Sequence, residues 1–249
     1  MTALPPSFAL RAVQPEDAER LYSLKRVCFP DAYLDLSVFR SPKSARFLAA
    51  LATPVLAPRH PMLVTGDFDG YLQTVIRDGK IHLSFIGVHP NAAGRGLGRH
   101  LLRAFEEVGR SKGCHRATLD VFESNPHALD WYLRHGYEAS SQSETVLVSL
   151  KGLEARNAGT AYSHRLESEA EEEIRGFSMV SAKGGEVGII AGDTVRPRLG
   201  LSPLDSARAM RADFPERTRM ILSGALRSLD LDGLTVLNRE IGRRLEIAL

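Results

Sequence analysis

Cysteine is scarce in this chain. Only Cys28 and Cys114 occur among 249 residues, with no C-x-x-C or His-Cys spacing, which argues against a structural zinc site and against a disulfide framework. No metal is expected, and both thiols read as reduced and buried. An excess of either charge is lacking too: 32 Lys and Arg stand against 30 Asp and Glu, a net of +2. That balance supplies no global field, so neither nucleic acid nor a membrane is an expected partner. No uninterrupted apolar run approaches the ~20 residues that span a bilayer. The stretch from Met1 to Val13 has prolines where a signal peptide needs its apolar core. The expected location is the cytoplasm.

What remains is ordinary globular composition, 43% hydrophobic and 25% charged, long enough for one standard domain and a smaller one. "FALRAV" alternates as a half-buried strand does, and Pro15 with Glu16 and Asp17 opens a helix. "SARFLAAL" reads as a second helix among loops. The stretch from Met62 to Val88 gives three strands split by the turn signals Asp69-Gly70 and Asp78-Gly79. A helix follows from Gly98 to Gly109, then the strand "RATLDVF", a helix with Asn125 and Pro126 at its start and Gly136 at its end, and the strand "ETVLVSL". Strands interrupted by helices in this order point to an α/β fold with a mixed sheet.

Between the third meander strand and its helix lies "VHPNAAGRGLGRHLL", Val88 to Leu102. Gly94, Gly96 and Gly98 are spaced G-x-G-x-G, which fails the dinucleotide template, and no Lys-Ser/Thr pair follows as a P-loop requires. The shared physics survives: a glycine turn lets backbone N–H groups approach an anion at a helix N-terminus. A diphosphate suits it, with Arg95, Arg99 and Arg103 spaced to add charge-assisted bonds. Solvated surface arginines beside a tight turn are the alternative.

These residues resemble the acetyl-CoA-binding motif of the GCN5-related N-acetyltransferases (GNAT). In the window Ala93-Gly94-Arg95-Gly96-Leu97-Gly98, Ala93 stands where that family usually has Gln or Arg. A second family motif matches downstream in "NPHALDWYLRHGY", through Asn125, Ala128, Tyr132, Gly136 and Tyr137. The resemblance covers about residues 7–150. It implies a GNAT acyl-CoA N-acyltransferase fold with acetyl-CoA as cosubstrate, and a splayed strand whose Ile86 and Val88 backbone pairs with the pantetheine arm. It further implies an acyl carbonyl near the Val88 N–H, and a pyrophosphate held by Gly94, Arg95, Gly96, Leu97, Gly98 and Arg99. Asn125 resembles the residue that bonds the pantetheine region, and Tyr132 the one that reaches the thioester sulfur.

The implied activity is transfer of an acetyl group to a primary amine, by direct attack on the thioester, with Tyr132 protonating the thiolate. The base stays open among His82, six residues before Val88 and on its face if the strand is regular, Glu123, and an ordered water chain. Cys114 precedes a strand and has no patterned His partner, so an acyl-cysteine is disfavoured. The acceptor class is a small-molecule, peptide or amino-terminal amine, and a homodimer is one of the oligomeric options. Transfer of a longer acyl group, or acyl-CoA binding by a pseudoenzyme acting as sensor or subunit, are the alternatives.

After residues 7–150, the stretch 151–176 is linker-like and includes the charge run Glu167 to Glu173, and residues 177–249 form a smaller C-terminal domain. "FSMVSAKGGEVGIIAGD" is similar to "PMLVTGDFDGYLQTVIRDG". "RMILSGALRSLDLDGLTVLNRE" is similar to "RHLLRAFEEVGRSKGCHRATLDV", a helix, a glycine stop and a strand. A degenerate GNAT half-copy and an unrelated extension remain the two readings of this segment. The first requires a strand-strand-helix-strand order within residues 177–240.

Overall fold

The computed structural model describes residues 8–156, 162–163, 174, 176–182, 185–197, 202–225 and 227–249. The charge run from Glu167 to Glu173 lies outside them. Helices are α1 Ala18–Cys28, α2 Asp31–Leu34, α3 Ser44–Leu51, α4 Leu97–Ser111, α5 Pro126–Arg134 and α6 Pro203–Asp213. Strands are β1 Leu10–Ala12, β2 Met62–Thr65, β3 Gly70–Arg77, β4 Lys80–Val88, β5 Arg116–Phe122 and β6 Glu138–Ser149, then β7 Tyr162–Ser163, β8 Ser178–Ala182, β9 Gly185–Ala191, β10 Thr194–Pro197, β11 Arg219–Ala225 and β12 Thr235–Ala248. Among the described residues no helix is long and apolar enough to cross a membrane.

The chain forms two compact units that interleave in sequence. One takes everything described up to Pro30, with Leu48–Ser141 and Arg243–Leu249; the other takes Asp31–Phe47 and Gln142–Gly242. The contiguous segments expected from sequence, 7–150 and 177–249, therefore do not coincide with the packed units. The reason is strand placement: the end of β12 lies beside β5 in the first unit, and β6 pairs with β11 in the second.

In the first unit the sheet order is β1-β2-β3-β4-β5, closed by the end of β12. The first four strands pair antiparallel and β5 runs parallel to β4. Local chemistry explains most of its elements. Asp17 accepts from the Gln14 N–H at 2.8 Å and so starts the turn ahead of α1. Asp78 and Gly79, with φ of 52° and 68°, make the β3–β4 hairpin turn. Asp69-Gly70 does not act as the other hairpin turn. There Phe68 takes the positive φ, and Gly70 opens β3, where a Cβ would lie 2.9 Å from Leu97. That glycine serves the close approach of α4. Leu97, Leu101, Leu102 and Phe105 of α4 pack with Ile81, Leu83, Ala117, Leu119, Tyr132 and Leu245 in one buried core.

The other face of this sheet carries α1, whose Leu21 and Leu24 are buried together with Lys25. The Lys25 Nζ donates to Gln73 Oε1 at 3.1 Å and lies 2.9 Å from the Phe85 ring centroid. Burial holds its pKa well below the ordinary lysine value, with the neighbouring Cys28 opposing.

In the second unit the order is β7-β8-β9-β10-β11-β6, antiparallel except for β10 beside β11. Its core gathers Val146, Val148, Ile190, Met210, Phe214 and Met220. The meander β8-β9-β10, then α6, then a parallel strand repeats the order β2-β3-β4, α4, β5 of the first unit, so the required strand-strand-helix-strand order is present. The assignment within it is corrected, however. "RMILSGA" is β11 and not a helix, and the helix comes earlier, from Pro203, with the Ser202 hydroxyl accepting from the Asp205 N–H at 3.1 Å. Met220, Ile221 and Leu222 are all fully buried, so this strand shows no alternation to mark it.

Lys25 sets a pH dependence of stability. Its folded pKa is lowered, so the unfolded chain binds the extra proton and stability rises with pH from that lowered value towards the unfolded one. Urea unfolding at pH 8.5 and 9.5, just below the ordinary lysine value, is expected to show that rise, at most about 1.4 kcal/mol per pH unit for one proton, and Lys25→Met is expected to remove it. Equal pH dependence in both proteins would contradict the assignment.

Candidate active site

The site is built where β4 leaves β5. The two strands pair only through Lys80 to Leu83, although both continue. At that point Ser84 is an extra residue on β4: Gln73 stands opposite Phe85, and Thr74 opposite Leu83. A bulge bends its strand, and β4 beyond it presents an edge from Ser84 to Val88 that has no pairing with β5.

The bulge also decides what faces where. Ile81 and Leu83 before it belong to the α4 core, and Ile86 and Val88 after it pack against that same core. Gly87 turns to the α1 face, where a Cβ would lie 2.6 Å from the Tyr71 ring and 3.0 Å from Cys28 Sγ. His82 therefore points away from the Val88 face, contrary to the regular-strand expectation. It joins Thr118 and Asp120, which face away from the core that holds Ala117, Leu119 and Val121.

Beyond Val88 the chain turns through Gly94 and Gly96, with φ of 73° and 83° and nothing within 4 Å of either missing Cβ. Only glycine takes both angles without strain. Gly96 is the N-cap of α4, and no side chain caps this helix. Its first N–H groups lack intrahelical partners and carry the positive end of the helix dipole. Leu97 is 1% exposed, so only its backbone is available to a ligand. At Gly98 a Cβ would stand 3.7 Å from the Trp131 ring and 3.9 Å from Val88, so these three residues converge. Arg95 and Arg99 are exposed beside the turn. The Arg95 guanidinium lies 4.9 Å from the Phe8 ring centroid, and Arg99 Nε donates to His135 Nε2 at 3.4 Å.

Asn125 is the N-cap of α5 and Tyr132 lies within it. The Asn125 side-chain Oδ1 accepts from the Ala128 N–H at 3.1 Å and caps the helix. Tyr132 is 7% exposed, packed edge-on against Trp131 and Tyr137, and burial raises its pKa, so the phenol stays protonated. The thiols are unsuited to nucleophilic work: burial pushes Cys28 up to about 11, against the pull of Lys25, and also raises Cys114.

On the α1 face, His82 Nδ1 lies 3.1 Å from Thr118 Oγ1, and its Nε2 lies 3.9 Å from Asp120 Oδ2. Burial lowers its pKa, Asp120 raises it and Arg244 lowers it, for a net decrease. Glu123, the other candidate base, is bonded by Arg243 Nε at 2.7 Å. The structure thus brings Ile86, Val88, Gly94 to Arg99 and Trp131 to one end of β4, and places His82 further back on the opposite face. Sequence reasoning missed Arg243 and Arg244 as partners. The alternation of buried Leu245 with its neighbours marks a strand there, but nothing in it names β5 as the strand it joins.

Residues 18–137 match the acetyltransferase (GNAT) family model. Among solved structures, the fold is similar to that of a GCN5-related N-acetyltransferase from Sphaerobacter thermophilus, at 18% identity over 99% of this chain and 98% of that one, with a TM-score of 0.61. It is also similar to that of a tandem GNAT protein from the clavulanic acid biosynthesis pathway, at 14% identity over 96% and 98%, with a TM-score of 0.58. Acetyltransferases of this fold use acetyl-CoA as cosubstrate. Residues 18–137, which hold the parted strands and the uncapped glycine-led helix, are thus a GNAT-family acetyltransferase domain.

Proposed function

We propose that the protein transfers the acetyl group of acetyl-CoA to a primary amine, by direct attack on the thioester. The observation that carries this reading is the parting of β4 from β5 at Ser84, next to a helix N-terminus that no side chain of its own caps. Ile86 and Val88 supply the backbone edge for the pantetheine arm. The N–H groups from Gly94 to Arg99, with the Arg95 and Arg99 side chains, take the diphosphate, and the free amide of Asn125 remains for the pantetheine amides.

The chemistry divides between the two faces of the sheet. Tyr132 stands on the α5 side as a protonated phenol and donates to the departing thiolate. His82 stands on the other side as a neutral imidazole. It lies four residues from Ile86, roughly 13 Å of strand, so the amine proton reaches it through water. Glu123 is held by Arg243 and is the weaker base candidate. Neither thiol is ionised at neutral pH, which favours direct transfer over an acyl-cysteine.

The second unit is proposed as a degenerate copy without a cofactor site. Its helix α6 is capped by Ser202 and carries Asp205 in the first turn, both unfavourable to a diphosphate there. Calorimetry is expected to give one acetyl-CoA per chain with micromolar affinity, and CoA thiol release with a panel of amines is expected to report turnover. No binding at millimolar acetyl-CoA would contradict the enzyme reading.

Tyr132→Phe is expected to lower kcat about 100-fold with little change in acetyl-CoA affinity; an unchanged rate would remove Tyr132 from the acid role. Arg95→Ala is expected to weaken acetyl-CoA binding about tenfold. Unaltered affinity would return that arginine to the solvated surface.

A further inference from the structure

Around His82 of β4, on the face of the first unit turned away from α4, stand three side chains outside the steps described so far: Thr118 and Asp120 on β5, and Arg244 on β12. The Thr118 hydroxyl donates to the Ile81 carbonyl at 3.5 Å, which leaves its oxygen to accept from His82 Nδ1–H. The lone pair of His82 is then on Nε2, the nitrogen that faces Asp120 at 3.9 Å. Asp120 is already engaged. Arg244 donates to it through both Nε and Nη2, the latter at 2.8 Å, in the two-pronged geometry that fixes a carboxylate most firmly.

An imidazole beside a carboxylate ordinarily takes up a proton and becomes an ion pair. Here a cation from the far end of the sequence competes for that carboxylate. We propose that Arg244 is a positioning residue: by holding Asp120 it keeps His82 a neutral imidazole, so that β12 sets the protonation state of the proton acceptor on β4. This rests on the reading of His82 as that acceptor.

The surroundings leave few other sources of the effect. Across β3 the register partner of His82 is Val75. From α1, Lys25 and Cys28 stand over Phe85 and Gly87, further along β4. On the neighbouring strands the next charges, Arg116 and Glu246, bond each other at 2.6 Å. Asp120 and Arg244 are the charges that act on His82.

The experiment is a proton-NMR titration of the His82 imidazole, assigned with His82→Asn, in the full chain and in Arg244→Met, Arg244→Lys, Asp120→Asn and the Arg244→Met/Asp120→Asn double variant. The pH profile of CoA thiol release is measured on the same proteins. Arg244→Met is expected to move the imidazole midpoint up by about one pH unit, Arg244→Lys to bring it back towards the parent value, and the double variant to abolish the upward move. The acid limb of the rate profile is expected to follow the midpoint. An unchanged midpoint in Arg244→Met overturns the proposal, as does an upward move that persists in the double variant. A midpoint that moves while the acid limb stays in place supports the charge coupling and instead overturns the reading of His82 as the acceptor. Because Asp120→Asn alone is expected to lower the midpoint, the coupling can be tested even if Arg244→Met does not fold; an unchanged midpoint there overturns it.

Discussion

One extra residue on one strand sets up the site. With Ser84 bulged, β4 can pair with β5 at its start and leave it further on, and the backbone edge of Ile86 and Val88 is freed beside the first turn of α4. Without the bulge, regular alternation would send Ile86 and Val88 to the α1 face and turn Gly87 into the α4 core. With the bulge, Gly87 faces α1, where Tyr71 and Cys28 leave no room for a side chain. Lys25 is anchored at the same place, through Gln73 and Phe85, the pair that flanks the bulge. The strand edge, the buried lysine and the facing of His82 are consequences of a single register shift.

In the proposed reaction, binding and proton transfer use different parts of the structure. The proposed anion site is made of backbone: two positive-φ glycines and a helix start with no capping side chain. Such a site needs no particular side chain at Ala93, which is why the departure from the usual family residue there leaves the arrangement intact. The proposed proton transfer depends on side chains in opposite environments. Tyr132 is kept protonated by burial in an aromatic cluster, and His82 is kept neutral by burial and by Arg244 of β12, against the pull of Asp120.

What could be read from sequence was what short-range chemistry decides. Asp78-Gly79 is a hairpin turn because both residues must take positive φ, and Asn125, Pro126 and Gly136 start and stop α5 by their own hydrogen bonds and angles. The glycine window was legible for the same reason. The facing of His82 was not, because a bulge depends on the partner strand's register. Nor were the ion pairs of Glu123 with Arg243 and Asp120 with Arg244, since more than 100 residues separate the partners. β11 does not stand out as a strand in the sequence because burial on both faces erases the alternation that tells a strand from a helix.

Amide hydrogen exchange with and without acetyl-CoA tests the central claim most directly. The account predicts new protection at Ile86, Val88 and the amides from Gly94 to Arg99, with none at the start of α6. Protection confined to the second unit, or none in the glycine turn, would contradict it.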